Sequence, residues 1–442
     1  MSDFRIEQVA VEQLLPYKRN ARVHPKKQIR QIAASIKEFG FNNPVLVDRR
    51  GEILAGHGRV EAAKILGLRA VPVIRIEHLT EEQKRAFVIA DNKIALNAGW
   101  DLDMLALDLK ELSNLDLAFD LEITGFDTAE IDFLVDGLTK QSKADPCDNL
   151  PPVERNAVTR YGDLWVLADH KLLCADARDS QAYAVLLGEE KARLIFTDPP
   201  YNVRIDGDVG GHGSIKHREF AMASAEMNEA EYTGFLAAIF GNMAHVSVDG
   251  AIHFICMDWR HIGEVMAAGK STYSELKNLC VWNKDNGGVG SFYRSKHELV
   301  FVFKVGSAAH VNTVELGRSG RYRTNVWDYA RVNTLRPGRS EDLEMHPTVK
   351  PVALVVDALR DCSRRGEIVL DPFSGSGTTI IAAQKSGRKA RAMEIDPLYI
   401  DVAIRRWQTF TGNAAILAGT AETFVQVTEN RADSLPMLTP KR

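Results

Sequence analysis

Apolar positions along this chain follow two different periods on either side of a polar break. From Pro44, PVLVDRRGEILAGHGRVEAAKILGLRAVPVIRI alternates short β-branched runs with one helical segment, which predicts a small α/β unit with a turn at Arg50-Gly51. Residues 79–138 then read as helices, and Leu105, Leu109 and Leu112 mark an amphipathic face beside Asp108 and Glu111. Three prolines and a polar mix interrupt the pattern over 139–156, TKQSKADPCDNLPPVERN, and read as a linker. Beyond it, LWVLADHKLLCAD, ARLIFTD, GAIHFICMD, LCVWNK, ELVFVFKV, EIVLD and KARAMEID are short apolar runs separated in several places by helical stretches. That alternation predicts an α/β fold with a doubly wound, Rossmann-like sheet.

The expected organisation is an amino-terminal α/β domain over 1–100, a helical extension over 101–138, the linker, a larger α/β domain over 157–415, and a tail over 416–442 without functional signal. With 55 basic and 59 acidic side chains among 442 residues, any contact with nucleic acid has to come from a local basic surface. Cys147, Cys174, Cys256, Cys280 and Cys362 are scattered and never spaced C-x-x-C, which argues against a zinc site or a disulfide framework and fits a reducing cytoplasm. No metal is expected. MSDFRIEQVA lacks the pattern of a secretory signal and no apolar run is long enough to span a bilayer, so the expectation is a cytoplasmic protein without a membrane partner.

Two segments carry chemistry. EIVLDPFSGSGTTIIAAQKSG places a strand, a glycine-rich turn from Phe373 to Gly377 and a helix in succession. Gly375 and Gly377 let the backbone approach a ligand closely, and the helix start offers unpaired N–H groups. Glu394 follows Gly377 by 17 residues, after a second apolar strand, where doubly wound folds place a carboxylate on the ribose hydroxyls of a nucleoside. A G-x-G turn by itself serves equally as a tight connection. The dinucleotide fingerprint lacks its third glycine, replaced by Ile380, and no Gly-Lys-Ser/Thr of a P-loop follows.

The second segment, ARLIFTDPPYN, ends a buried strand with Asp198, Pro199, Pro200 and Tyr201. An exocyclic base amine is a poor nucleophile because its lone pair is delocalised into the ring. A carboxylate at Asp198 and the carbonyl of Pro199 accept its two N–H bonds and stabilise developing positive charge, while Tyr201 can stack on a base turned out of the duplex. A plain loop entry with an aromatic plug is the competing reading.

These two motifs, with HKLLCADARD, VWNKDNGGVGSFYRSKHELVFVFK and HPTVKP, resemble the amino-methyltransferases of DNA in their permuted β class over about residues 157–410. The resemblance implies S-adenosyl-L-methionine as methyl donor and double-stranded DNA as partner. It puts Asp176 on the cofactor adenine, Thr348, Lys350 and Asp371 near its methionine end, and Phe373, Gly375, Gly377 and Glu394 along the rest of the cofactor. Asp-Pro-Pro-Tyr goes mainly with adenine N6 in that family, and cytosine N4 stays open. Residues 318–339, with six arginines among Tyr322, Trp327 and Tyr329, lie in the family's variable target-recognition region, taken as 305–345; Arg318, Arg321, Arg323 and Arg331 are the candidate DNA contacts. A site-specific adenine methyltransferase of a restriction-modification type is the expected activity, with homodimeric assembly open.

Residues 203–225 are rich in glycine and suggest either a closing loop or an ordinary one. Residues from about 5 to 100 resemble the fold shared by the partition protein ParB and sulfiredoxin, with Gly56, His57, Gly58 and Arg59 at a strand-to-helix turn suited to a phosphate. The cysteine of sulfiredoxin is absent, Val60 follows Arg59 where ParB has a second arginine, and no helix-turn-helix is read before the linker. Asn20, Arg22, Asp91, Asn92 and Lys93 are further polar candidates there. A ParB-like nucleotide-dependent DNA-binding protein with a degenerate methylase half, and a nuclease, are the rival functions.

Overall fold

The computed structural model describes residues 5–113, 115, 117–137, 146–154, 156–202, 226–285, 287, 292–314, 323–330, 332 and 349–432. The chain divides into two compact units, Met1–Lys140 and Gln141–Arg442. The first contains β1 (Ile6–Ala10), α1 (Lys26–Phe39), β2 (Val45–Val47), β3 (Ile53–Ala55), α2 (His57–Ile65), β4 (Ala70–Arg75), α3 (Glu81–Ile94), α4 (Leu102–Ser113) and α5 (Thr128–Gly137). Its sheet runs β1-β4-β2-β3. The β-branched runs supply its core, with Val45, Val47, Val71 and Val73 fully buried. Gly51 turns the chain between β2 and β3 at φ +81°, where the sequence placed a turn.

The second unit is built on β5 (Leu164–Leu167), β6 (His170–Cys174), α6 (Ser180–Leu187), β7 (Ala192–Thr197), α7 (Glu229–His245), β8 (Ser247–Met257), α8 (Ile262–Thr272), β9 (Glu275–Asn283), β10 (His297–Lys304) and β11 (Val326–Asp328). It continues with α9 (Val352–Cys362), β12 (Ile368–Asp371), α10 (Thr378–Ser386), β13 (Lys389–Glu394), α11 (Pro397–Thr411), β14 (Ile416–Leu417) and α12 (Phe424–Ala432). One sheet in the order β11-β9-β10-β8-β7-β12-β13-β6-β5-β14 carries apolar clusters on both faces. The central strands β8, β7, β12, β13 and β6 are parallel, and β10 is antiparallel between β8 and β9.

Strand order reverses between β7 and β12, which are far apart in sequence but pair Val369 with Leu194 and Leu370 with Ile195. The carboxyl ends of these strands therefore meet at a switch point of the sheet, the place where open α/β sheets form a crevice. Thr197, the last residue of β7, donates from its hydroxyl to Asp371 Oδ1 at 2.9 Å and ties the two strand ends together.

Three expectations about boundaries differ from the structure. LWVLADHKLLCAD is a hairpin, β5 antiparallel to β6, with Ala168 at φ +51° in the turn. The linker ends early. Its residues 146–154 belong to the second unit, where Asp148 caps the α9 amide of Val352 at 2.9 Å and the Cys147 carbonyl accepts from Arg406 at 2.8 and 3.0 Å. The tail continues the fold: β14 pairs with β5, Phe424 packs edge-on to Trp165 at 5.3 Å, and Arg431 pairs with Asp163. Apolar residues too few to show a period, such as Ile416, Leu417 and Phe424, gain their burial from a strand distant in sequence.

Candidate active site

The Gly-rich turn is shaped by packing as well as by φ. Gly375 and Gly377 sit at φ +49° and +80°, and a Cβ on Gly377 would lie 2.8 Å from that of Ala403 on α11. Arg406 of the same helix, buried, donates to the Ser376 carbonyl at 3.1 Å and to the Thr378 hydroxyl at 3.0 Å, so it fastens the turn from behind. No motif in the sequence pointed to Arg406; only its position one turn from Ala403 along an amphipathic helix hints at it.

Glu394 ends β13 beside this turn and accepts from the amides of Gly375 and Asp396, both at 2.9 Å. Burial pushes its carboxyl up to about 7 although those amides pull the other way. Asp371, buried at the end of β12, is pushed up to about 6 by burial against the hydrogen bonds from Thr379, Phe373 and Thr197. The Ser374 hydroxyl is buried in the turn with no partner among the described residues. An acceptor carboxylate, glycines at a helix start and an unmatched hydroxyl fit a small ligand bearing a ribose. Asp176 lies two residues past β6, next to β13, and its carboxylate is gripped by Arg178 at 2.6 to 3.1 Å. Thr348 lies outside the described residues.

At the neighbouring strand end, Asn202 adopts φ +52° and exchanges hydrogen bonds with the backbone of Met227. The Tyr232 hydroxyl, from α7, donates to the Pro200 carbonyl at 2.7 Å. These contacts pin the turn at Pro200 and at the residue that follows Tyr201. Among the described residues none donates to the Pro199 carbonyl.

Asp198 is the accessible member of a tight charged group, with its side chain 24% exposed. Lys350, just before α9 and only 5% exposed, places Nζ 2.5 Å from Asp198 Oδ2 and 2.6 Å from Glu298 Oε1. The Tyr201 hydroxyl is 2.5 Å from both carboxylates, and Lys284 sits 2.7 Å from Glu298 Oε2. Burial raises the Asp198 carboxyl, Lys350 opposes that and Glu298 adds to it. Burial would raise Glu298 too, but the Lys350 and Lys284 ammonium groups hold it well below the usual carboxylate range. Ligand atoms of Asp198, Cys256 and Glu298 converge within 4.8 Å, yet the Lys350 ammonium already meets the charge of both carboxylates.

The resemblance puts Lys350 near the methionine end of the cofactor and gives Glu298 and Lys284 no role. The structure commits Lys350 to Asp198. Glu298 and Lys284 lie in VWNKDNGGVGSFYRSKHELVFVFK, where an isolated Glu in a strand reads as an ordinary surface position.

The recognition region is corrected in part. Arg323, a candidate DNA contact, is only 16% exposed and paired with Asp357 and Asp361, with Trp327 beneath it at 5.0 Å. Trp327 is buried and Tyr329 donates to Asp357, so both serve the sheet edge. An arginine run is read as a surface until its partners, here 34 and 38 residues away, are seen. Arg318, Arg321 and Arg331 lie outside the described residues, as does 203–225.

In the first unit Gly56 adopts φ +102° before α2, His57 Nε2 accepts from the Tyr17 amide at 3.2 Å, and Arg59 folds onto the Asn43 carbonyl at 2.8 Å. Gly58 packs close to His24 and Ile32. Asn20, Arg22, Asn92 and Lys93 come together with Tyr17, Arg19 and Arg85 around a cavity of about 340 Å³. Asp91 is not among its lining residues and faces Arg59 instead. Among the described residues no helix is long and apolar enough to cross a membrane.

Residues 192–405 match the DNA methylase family model, residues 2–93 the ParB N-terminal domain, and residues 103–161 the ParB-methyltransferase HTH domain. The last match overturns the expectation of no helix-turn-helix; over 103–161 thirteen carboxylates outnumber five lysines and arginines, a charge pattern unlike a duplex-binding motif. The ParB-like nuclease domain-containing protein YnaK of Escherichia coli K12 is 53% identical over 75 residues, 17% of this chain and 86% of that protein. The DNA adenine methyltransferase YhdJ of the same organism is 27% identical over 253 residues, 52% of this chain and 80% of that protein. The solved M1.HpyAVI complex with SAM aligns at a TM-score of 0.38 and 19% identity, covering 53% of this chain and 97% of that one. With the Asp198 turn and the Gly-rich turn joined at one switch point of a doubly wound sheet, residues 192–405 form a methylase domain of the N6/N4 DNA methyltransferase family, carried behind a ParB-like domain.

Proposed function

We propose that this protein transfers a methyl group from S-adenosyl-L-methionine to the exocyclic N6 of adenine in double-stranded DNA. The observation that carries the reading is Asp198: an accessible carboxylate beside a Pro199 carbonyl that takes no donor among the described residues, joined through Thr197 and Asp371 to a nucleoside-type turn. The Asp in that motif and the adenine activity of YhdJ favour N6 over cytosine N4.

Glu394, Gly375, Gly377 and Phe373 would hold the nucleoside of the donor, with Asp176 on its base and Asp371 toward the methionine end. Bound there, S-adenosylmethionine supplies an electrophilic methyl group. Asp198 and the Pro199 carbonyl accept the two N–H bonds of the target amine, which restores its lone pair and aims it. The raised proton affinity of Asp198 suits it to receive the proton the amine sheds. Turning the base out of the duplex leaves a gap in the stack. Phe292 and Tyr293, in edge-to-face contact at 4.5 Å and 87% and 81% exposed, sit on the β9–β10 connection at the same sheet edge as Asp198. They are suited to meet the opened stack. Replacing both by Ala is expected to raise KM for DNA about tenfold while leaving the affinity for the donor unchanged, as read by steady-state kinetics and calorimetry.

The deciding experiment labels DNA with methyl-labelled donor and digests it to nucleosides. Label in N6-methyladenine is the expected result. Label in N4-methylcytosine would keep the site chemistry and change the base, and none in either would sink the reading.

A further inference from the structure

We propose that Glu298 is a positioning residue that frees Asp198 for the target amine, by taking over the two donors that Asp198 holds in the free protein. The inference rests on the methyltransferase reading of the site. Among the described residues Asp198 receives only the Tyr201 hydroxyl and the Lys350 ammonium, and both donors lie as close to Glu298: 2.5 and 2.5 Å for Tyr201, 2.5 and 2.6 Å for Lys350. A phenol has one hydrogen, so Tyr201 serves one carboxylate at a time. The amine competes with these donors for the two oxygens of Asp198.

Without Glu298, Lys350 would have Asp198 as its sole counter-ion, and a charge-assisted bond outcompetes the neutral N–H of a base. With Glu298 in place, Lys350 and Tyr201 each keep an acceptor when they turn away from Asp198, which exchanges its counter-ion for the N–H bonds of the amine. Two further features keep Glu298 ready for that exchange. It is nearly buried, at 8% exposed against 24% for Asp198, so it is the inner of the two carboxylates. Its second oxygen is anchored by Lys284, which lies 4.5 Å over the Trp282 ring on β9. The group is electrically closed, with carboxylates Asp198 and Glu298 against ammonium groups Lys350 and Lys284. The Cys256 thiol on β8 is pushed well up by burial and stays neutral, and Asp371 on β12 is a further carboxyl that interacts with Asp198.

The test compares wild-type protein with Glu298→Gln and Glu298→Asp in kcat, in KM for DNA and for the methyl donor, and in the pH profile between about pH 5.5 and 9. Glu298→Gln is expected to lower kcat about 100-fold with both KM values changed less than about threefold. The acid limb of its kcat profile should move to lower pH, because the negative charge that raises Asp198 is gone; a purely structural role would leave the limb in place. Glu298→Asp keeps the charge and should recover at least about tenfold of the loss. Should the Gln variant fail to fold, Glu298→Gln/Lys284→Met removes one anion with one cation and should fold while keeping the low kcat and the displaced limb. Active wild-type protein with a variant whose kcat stays within about threefold, or whose acid limb does not move, would overturn the role of Glu298 alone. Wild-type protein that methylates no DNA would overturn the underlying reading and this inference with it.

Discussion

Asp198→Ala is expected to lower methyl transfer at least about 1,000-fold while the affinity for S-adenosylmethionine changes less than about threefold. The size follows from what the side chain does. It is the accessible carboxylate of the charged group, and its loss removes at once an acceptor for the target amine and the group that receives its proton. The fold should tolerate the change, because Lys350 keeps Glu298 as a counter-ion at 2.6 Å and the turn stays pinned by Tyr232 and Asn202. Asp198→Asn retains one acceptor oxygen but no charge and should fall between the two. Single-turnover rates with calorimetric donor binding separate the effects; unchanged turnover in the Ala variant would remove Asp198 from the chemistry.

The second large effect concerns Glu394 and pH. Ribose hydroxyls donate to a carboxylate, so donor binding selects the ionised form of a group that burial holds at about 7. Affinity for S-adenosylmethionine should therefore rise as pH increases toward 7, by up to about tenfold per unit on the acid side, and then level off. Binding near neutrality should release protons, visible as a dependence of the calorimetric heat on the buffer. The sign for stability is opposite. A carboxyl raised above its unfolded value contributes stability fully present below about 4.5, and that contribution is lost as pH rises through about 7. The donor-free protein should thus gain thermal stability from this group on acidification, and the donor should offset the loss at higher pH. Glu394→Gln should weaken donor binding by about 100-fold, since two hydrogen bonds to a charged acceptor go, and abolish the group's part in both pH trends. A Gln variant with wild-type affinity and the same pH slope would place the nucleoside elsewhere.

The sequence by itself determined the chemistry-bearing turns and the class of fold. Strand runs of period two, glycines that require positive φ at 375 and 377, and a carboxylate one strand further on are local signals, readable because each depends on neighbours within a few residues. The Asp-Pro-Pro-Tyr turn was readable for the same reason. Only the tertiary structure decided which side chains serve those turns. Arg406 fastens a loop 30 residues away, Lys350 reaches Asp198 across 152 residues, and Glu298 reaches Tyr201 across 97. Arg323 was misread for the converse reason, since its acidic partners on α9 neutralise what looked like an exposed cation. Charged residues carry no periodic signal of their own, and their pairing is set by which strand ends the sheet order brings to one edge.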